Sequence, residues 1–494
     1  MGAGPPDPPP GESEDPAQMT HDEITELPKR EHPRAATPDR PRPTLVVAWS
    51  REEPERVGEV APVPAAGTWT LGRGGDGDAG RLELQRQRPG EASTTGGLRA
   101  PAISRQQLRV SAMDDRLLVE GVGRLPLLRA GVPVTQAIIR HGDVLEVQGQ
   151  LVLLCVERGP LPPARYVPRD QWPPFGRADR HGVVGESPVA WELRDRIAFV
   201  AARKGHVLIL GPSGAGKELA ARAIHRLSER SARPLVARNA ATFPAGLIDA
   251  ELFGNVRDFP NPGMRERPGL VGEADGSTLF LDEIGELPAD LQAHLLRVLD
   301  ADGEYQRLGE PRRRTADLRL VAATNRPAET LKGDLAARLR HVIEVPSLAR
   351  RREDLPLLAR ALLERAAEDD PHVAERFFDG AVPRVTPELL TLLLSQPLEL
   401  NLRELDGLLW RSMAESRGDR LEAPTLPDRP DTDGEDAQAA SDGFTDPASV
   451  TPEQLQECLD RHGGVQGPVW RELGFRNRYV LQRLIRKYDL RTVE

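Results

Sequence analysis

Cysteine is almost missing from this chain, with Cys155 and Cys458 the only two in 494 residues. They fall in different regions and fit no metal-ligand spacing, so a cysteine-held metal is excluded. They read as small buried residues in a reducing compartment. No apolar run approaches membrane-spanning length, and the opening MGAGPPDPPP lacks the basic and apolar regions of a signal peptide. A cytoplasmic protein with no membrane partner is expected. A global excess of positive charge is also absent. The formal net charge is −10, so any nucleic-acid site has to be local. What the chain does have is 46 prolines and 45 glycines, which imply substantial linker, and 39% hydrophobic residues, enough for ordinary cores. Its length suits about three domains, at roughly 150 residues each.

The most informative stretch is KGHVLILGPSGAGKELA, Lys204–Ala220. Val207-Leu208-Ile209-Leu210 predicts a short buried strand. It stops at Gly211-Pro212-Ser213-Gly214-Ala215-Gly216-Lys217 and runs into Glu218-Leu219-Ala220-Ala221-Arg222-Ala223-Ile224, a good helix sequence. Glycines let the backbone approach phosphate oxygens closely, with N–H groups pointing inward and a helix N-terminus behind them. Lys217 would then reach the outer phosphates of a nucleotide. General P-loops follow the lysine with Ser or Thr to hold Mg²⁺; here Glu218 follows, so the metal must lean on a second acidic site. Ser277–Leu287, STLFLDEIGEL, supplies it: an apolar strand ending in Asp282-Glu283. Asp282 is the candidate ligand for Mg²⁺ or its water shell, and Glu283 the candidate to polarise the attacking water.

From Val183 to about Pro424 the chain resembles the AAA+ domain of bacterial enhancer-binding proteins, the ATP-driven activators of sigma-54 RNA polymerase. Val183-Val184-Gly185-Glu186-Ser187-Pro188 matches the segment bordering the adenine pocket, and Gly216–His225 is family-like, Glu218 included. The resemblance implies further roles. Asn239 would couple the catalytic glutamate to a remodelling loop. Asn325, after Thr324, would sense the γ-phosphate. Arg403, in Asn401-Leu402-Arg403, would be the second sensor in a helical lid. Arg338 would reach into a neighbouring subunit, making ATP an interface ligand in a homo-oligomeric ring. The family carries two arginines in that segment; here the first position is Lys332, which keeps charge without the planar fork.

The largest departure follows Glu251-Leu252-Phe253-Gly254. The family has a Gly-Ala-Phe-Thr-Gly-Ala loop that touches sigma-54, whereas this chain reads Asn255-Val256-Arg257-Asp258-Phe259-Pro260-Asn261-Pro262-Gly263-Met264. The threonine and flexible glycines are gone, and two prolines stiffen a loop that must move.

Residues 43–158 show short alternating runs separated by Gly-rich turns, the pattern of a β-sandwich. Leu71-Gly72-Arg73-Gly74, Ile103-Ser104-Arg105-Gln106-Gln107-Leu108 and Arg140-His141-Gly142-Asp143 follow in the order of a forkhead-associated (FHA) domain, which that stretch resembles. The resemblance implies a phosphothreonine-protein partner bound by Arg73, Ser104 and Arg105. The family's histidine is Gln107 here, its Asn-Gly falls at Leu125-Pro126, and an Arg/Gly/Ser-rich insertion around 86–98 separates the motifs. A sandwich kept for protein contacts without phosphate specificity is the alternative.

At the carboxyl end, Thr451-Pro452-Glu453-Gln454 opens a helix, Gly463-Gly464 ends it, and Asn477–Tyr488 is basic. This resembles the Fis-type helix-turn-helix, which implies DNA binding with Arg476, Asn477, Arg478 and Arg483 as contacts.

The expected organisation is therefore a tail at 1–42, with Thr20, Thr25 and Thr37 open to phosphorylation, and an all-β FHA-like sandwich at 43–158. A proline-rich linker at 159–180 leads to an α/β AAA+ P-loop ATPase core at 181–346 with a helical lid at 347–423. An acidic linker at 424–449 and an all-α helix-turn-helix at 450–494 complete it. The expected function is an ATP-dependent, DNA-binding transcriptional regulator of the sigma-54 activator type, with phosphopeptide input. One alternative is a sigma-54-independent, nucleotide-gated DNA-binding scaffold. The other is a phosphoprotein adaptor with a vestigial motor.

Overall fold

The computed structural model describes residues 1–2, 41–426 (apart from 75, 76, 160, 162, 245 and 301), 452–462, 469, 473, 484, 485 and 488. The expected tail and most of the acidic linker lie outside those residues. The described part divides into two units, 1–424 and 425–494.

Period-two alternation folds residues 42–158 into an eight-stranded and a four-stranded antiparallel sheet. Leu45, Val47, Leu108, Val110, Leu117, Val119, Leu153 and Cys155 point between the sheets and are buried. Burial pushes the Cys155 thiol up to about 12, so it stays protonated in this core. The strand Arg42–Ser50 also buries its other face, Val46 and Ala48, where the helix Pro387–Ser395 lies beside it. The Arg/Gly/Ser-rich insertion forms a hairpin, Leu84–Arg88 with Glu91–Gly96, at the edge of the larger sheet.

The proline-rich 159–180 stretch packs along the next domain instead of spanning a gap. Its N–H groups at Arg165 and Tyr166 donate to Asp195 (2.9 and 2.6 Å), Trp172 lies 5.0 Å from Trp191, and Arg177 pairs with Glu364. Proline composition gives the expected linker, and its aromatic residues fix where it runs, Tyr166 against Phe199 and Trp172 against Trp191.

A five-stranded parallel sheet follows, in the order Val236–Asn239, Thr278–Asp282, Arg319–Thr324, Val207–Leu210, His341–Glu344. Its strands are continuous apolar runs because both faces are covered. Ser187 caps the helix Pro188–Ala201 by accepting from the Ala190 N–H at 3.1 Å. The lid comprises the helices Leu355–Asp369, Pro371–Phe377, Pro387–Ser395 and Leu402–Glu415. In the second unit, the helix Pro452–Arg461 buries Leu455, Cys458 and Leu459 with Val469 and Leu484. Among the described residues, no helix is long and apolar enough to cross a membrane.

Candidate nucleotide site

Parallel register decides which residues meet at the carboxyl edge of the central sheet. Asn239 pairs with Asp282, and Leu210 with Thr324, so the glycine loop, the acidic pair and the Thr324-Asn325 corner emerge side by side. Ligands of open α/β sheets bind at this edge.

The loop turns through left-handed glycines: Gly214 has φ +72° and Gly216 φ +104°. Gly216 also occupies the N-cap of the helix Lys217–Arg226 with no side-chain cap, so the first-turn N–H groups stay open to an anion. Lys217 is 6% exposed; its Nζ donates to the carbonyls of Gly211 (3.1 Å) and Pro212 (3.4 Å) and lies 3.4 Å from Glu283 Oε1. Glu283 is held in the left-handed region (φ 50°, ψ 47°), which costs a non-glycine residue about 1 kcal/mol or more. That conformation turns its carboxylate toward both Lys217 and Asn325, whose backbone N–H donates to Oε2 at 3.2 Å. Asp282 Oδ1 accepts the Glu283 N–H at 3.0 Å. Burial, then the neighbouring Glu283 charge, raises the Asp282 carboxyl above the usual range.

Two carboxylates, Asp282 and Glu283, stand beside one ammonium, a charge balance that leaves room for an added cation. Asp282 would be the residue to hold a Mg²⁺ ion brought in with a nucleotide, an oxygen ligand of the kind that ion takes. Among the described residues no group of three or more His, Cys, Asp or Glu stands together. Glu218 does not turn inward; it pairs with Arg222 at 2.7 Å on the exposed helix face.

The lid meets the glycine loop directly. Arg403 Nη1 donates to Ser213 Oγ at 2.9 Å, and the Leu402 N–H to the Gly214 carbonyl at 3.1 Å. A β-carbon on Gly214 would stand 2.2 Å from the Leu400 carbonyl. Asn401, φ +56° and 2% exposed, donates to the Ser213 carbonyl (3.0 Å) and accepts the Leu348 N–H (2.7 Å). Sequence reading passed over Asn401 as a neighbour of Arg403; a short polar residue just ahead of a helix was the signal available. Arg351 was also missed: it is 4% exposed, and its Nη2 reaches the Ala215 carbonyl at 3.4 Å.

Other sequence-predicted residues stand apart. Asn239 Oδ1 accepts the Ala241 N–H at 2.9 Å, capping a short turn, and makes no hydrogen bond to Glu283. Arg338 pairs with Asp300 at 2.8 Å on the surface, outside its own chain's cluster. Val184 is buried, in a segment that meets the glycine loop's helix at Gly182, where a β-carbon would stand 3.1 Å from Leu219.

The segment after Gly254 is tied down. The Gly263 N–H donates to Asp258 Oδ1 (2.8 Å), the Asp258 N–H to the Met264 carbonyl (2.9 Å), and Asn255 is fully buried. Phe259 is 42% exposed and leans on Gly309.

On the sandwich, Arg73, Ser104 and Arg105 come together. The Arg73 N–H donates to the Ser104 carbonyl (3.0 Å), Ser104 Oγ accepts the Arg124 N–H (3.0 Å), and Arg81 bonds the carbonyls of Arg73 and Arg105 (3.2 and 2.8 Å). Gln107, where the FHA pattern has histidine, ties the loop internally: its Oε1 accepts the Ser104 N–H and its Nε2 donates to the Leu125 carbonyl. None of these four arginines is ion-paired among the described residues, and Arg73 Nε is buried without a partner. Arg476, Asn477, Arg478 and Arg483 lie outside the described residues.

Glycine loop, buried lysine, acidic strand end and overlying helical lid on a sheet of this order define a P-loop domain of the AAA+ class. Residues 183–345 match the family described as the sigma-54 interaction domain. The transcriptional regulatory protein ZraR of Escherichia coli (strain K12) is 37% identical over 326 residues, covering 63% of this chain and 70% of ZraR. The formate hydrogenlyase transcriptional activator of Salmonella typhimurium (strain SL1344) is 36% identical, covering 62% of this chain and 44% of that protein. A crystal structure of NtrX from Brucella abortus in complex with ATP aligns with 31% identity and a TM-score of 0.44, over 64% of this chain and 70% of that one. The chain belongs to the sigma-54-interacting family of transcriptional regulators.

Proposed function

We propose that this protein is an ATP-hydrolysing, DNA-binding transcriptional regulator that works on sigma-54 RNA polymerase and takes a phosphopeptide signal through its FHA-like sandwich. The observation that carries the reading is the convergence of Lys217, Asp282 and Glu283 at the carboxyl edge of the parallel sheet, with Glu283 facing Lys217 at 3.4 Å. Lys217 and the open N–H groups of the glycine loop bind the phosphates. Glu283 orients and deprotonates the attacking water. Asn325 fixes the Glu283 carboxylate, and Arg403 brings the lid to the same loop. When bound, Mg²⁺ at Asp282 neutralises charge on the phosphoryl oxygens. Arg338, free of its own chain's site, serves the site of the next subunit in a ring. Basic residues 476–483 bind DNA, and Arg73, Ser104 and Arg105 grip a dianionic phosphate by guanidinium and hydroxyl. ATP turnover by the purified protein tests the motor: Glu283→Gln is expected to keep nucleotide binding and lose turnover, and Lys217→Ala to lose both. Wild-type protein with no turnover would defeat the reading.

A second reading, a nucleotide-gated DNA-binding scaffold, is favoured by the internally bonded 255–267 loop. Capture of sigma-54 in the presence of ADP and aluminium fluoride separates the two: a complex supports remodelling, and none supports the scaffold.

A further inference from the structure

We infer that Arg88, on the sandwich hairpin, is a positioning residue for the nucleotide site of the same chain, acting through Glu186. The inference rests on the nucleotide reading of the glycine loop.

The hairpin has no place among the FHA-like motifs it interrupts, yet it ends in a built contact. Arg88 grips both oxygens of Glu186, Nη2 to Oε1 at 2.8 Å and Nε to Oε2 at 3.3 Å. Its guanidinium lies among the rings of Trp172, Phe175 and Trp191, at 5.8, 5.5 and 5.4 Å from their centroids. The pair is shielded, with side chains 14% and 3% exposed. The carboxylate also accepts from the Gly176 N–H at 2.7 Å and Trp191 Nε1 at 3.0 Å, so removing the arginine would leave Glu186 hydrogen-bonded but without its buried counter-charge.

Glu186 sits two residues beyond Val184, and the sandwich also holds its backbone, since Arg158 Nη2 donates to the Glu186 carbonyl at 2.8 Å. The Glu186 and Ser187 N–H groups donate to Asp354 Oδ1 at 2.8 and 2.9 Å. From the turn carrying Asp354, Arg351 reaches the Ala215 carbonyl of the glycine loop, and the Leu348 N–H reaches Asn401, which itself holds Ser213. The guanidinium fork thus fixes one end of a bonded series whose other end is the phosphate-binding loop. Lysine could supply the charge but not the fork.

The test is the affinity of the full chain for a ribose-labelled fluorescent ADP with Mg²⁺, together with the KM and kcat of ATP turnover. Arg88→Ala is expected to weaken binding about five-fold or more, in the usual range of coupling between sites. KM should rise while kcat stays within about twofold of wild type, and Arg88→Lys should fall between. Arg109→Ala, which breaks an exposed pair with Glu120 in the four-stranded sheet, is expected to bind as wild type does. Unchanged binding by Arg88→Ala overturns the inference. So does equal weakening by Arg109→Ala, which would mean general loosening of the sandwich. Should Arg88→Ala fail to fold, Arg88→Lys decides, and wild-type affinity there overturns it. Wild-type protein that binds the probe no better than Lys217→Ala defeats the nucleotide reading itself, a distinguishable failure.

Discussion

Glu353 offers a test in which burial and ion pairing predict opposite signs. Its carboxylate lies 2.8 Å from Arg158 Nη1, with side chains 13% and 3% exposed. Pairing alone would lower its pKa. Burial acts the other way and is the larger effect; adjacent Asp354 adds repulsion, and the group is pushed up from 4.5 to about 7. The folded state therefore holds this proton more tightly than the unfolded chain. The resulting stability is fully present below about pH 4.5 and is lost as the pH climbs through about 7. At about 1.4 kcal/mol per decade of proton affinity, the whole effect is about 3 kcal/mol.

Glu353→Gln is the matching perturbation, because glutamine resembles the protonated acid and can still accept from Arg158. Thermal unfolding of the two proteins at pH 5 and at pH 8 gives the comparison. The variant should gain on wild type by about 3 kcal/mol between those values, a relative shift of about 4 °C for a unit this large. A wild type that instead gains on the variant as pH rises would show that Arg158 keeps Glu353 ionised and that burial loses.

Gly214→Ala places a methyl group where φ is +72° and the Leu400 carbonyl would be 2.2 Å away, so the lid contact must open. A destabilisation of about 1–3 kcal/mol is expected in the same unfolding assay. Arg338→Ala removes only an exposed pair with Asp300, worth under about 1 kcal/mol, so its melting should match wild type. Its turnover should fall, and mixing it with Lys217→Ala should restore part of the activity, because each subunit supplies what the other lacks. A mixture as inactive as its parents would remove the role across subunits. Arg73→Ala should lose at least about tenfold in affinity for a phosphothreonine peptide while melting normally, by fluorescence anisotropy, the loss expected for a charge-assisted fork.

The phosphate loop was legible because its chemistry is local. Glycines, lysine and a helix start are consecutive residues, and the backbone geometry they require follows from their order. The sheet was legible for a related reason: buried parallel strands read as unbroken apolar runs such as Val207–Leu210. The supports of the site were not legible. Asn401 bonds Ser213 from 188 positions away, Arg351 bonds Ala215 from 136, and Arg88 meets Glu186 from 98. No period or propensity carries such pairings; they exist once the lid and sandwich have packed. The stretch 159–180 shows its linker character in its prolines, while Trp172 and Phe175 decide where it lies. The hairpin at 84–96 read as an interruption because the partner of its Arg88, Glu186, belongs to another domain.

The sandwich touches both halves of the motor. Arg88 and Arg158 hold the segment at Glu186, while Trp49 Nε1 donates to the Val385 carbonyl of the lid at 3.1 Å, and the lid helix Pro387–Ser395 lies beside Val46 and Ala48. Any rotation of lid against core must therefore slide that helix over the sandwich or strain the Arg88–Glu186 fork. The candidate peptide loop joins the same structure: the Gly74 N–H donates to the Leu98 carbonyl at 2.7 Å, and Leu98 lies two residues beyond the strand that pairs with Leu84–Arg88. Contiguity alone is not coupling. It becomes coupling only if peptide and nucleotide favour the same lid position. In that case thermodynamic linkage requires each to change the other's affinity by one common factor, which two binding titrations can measure.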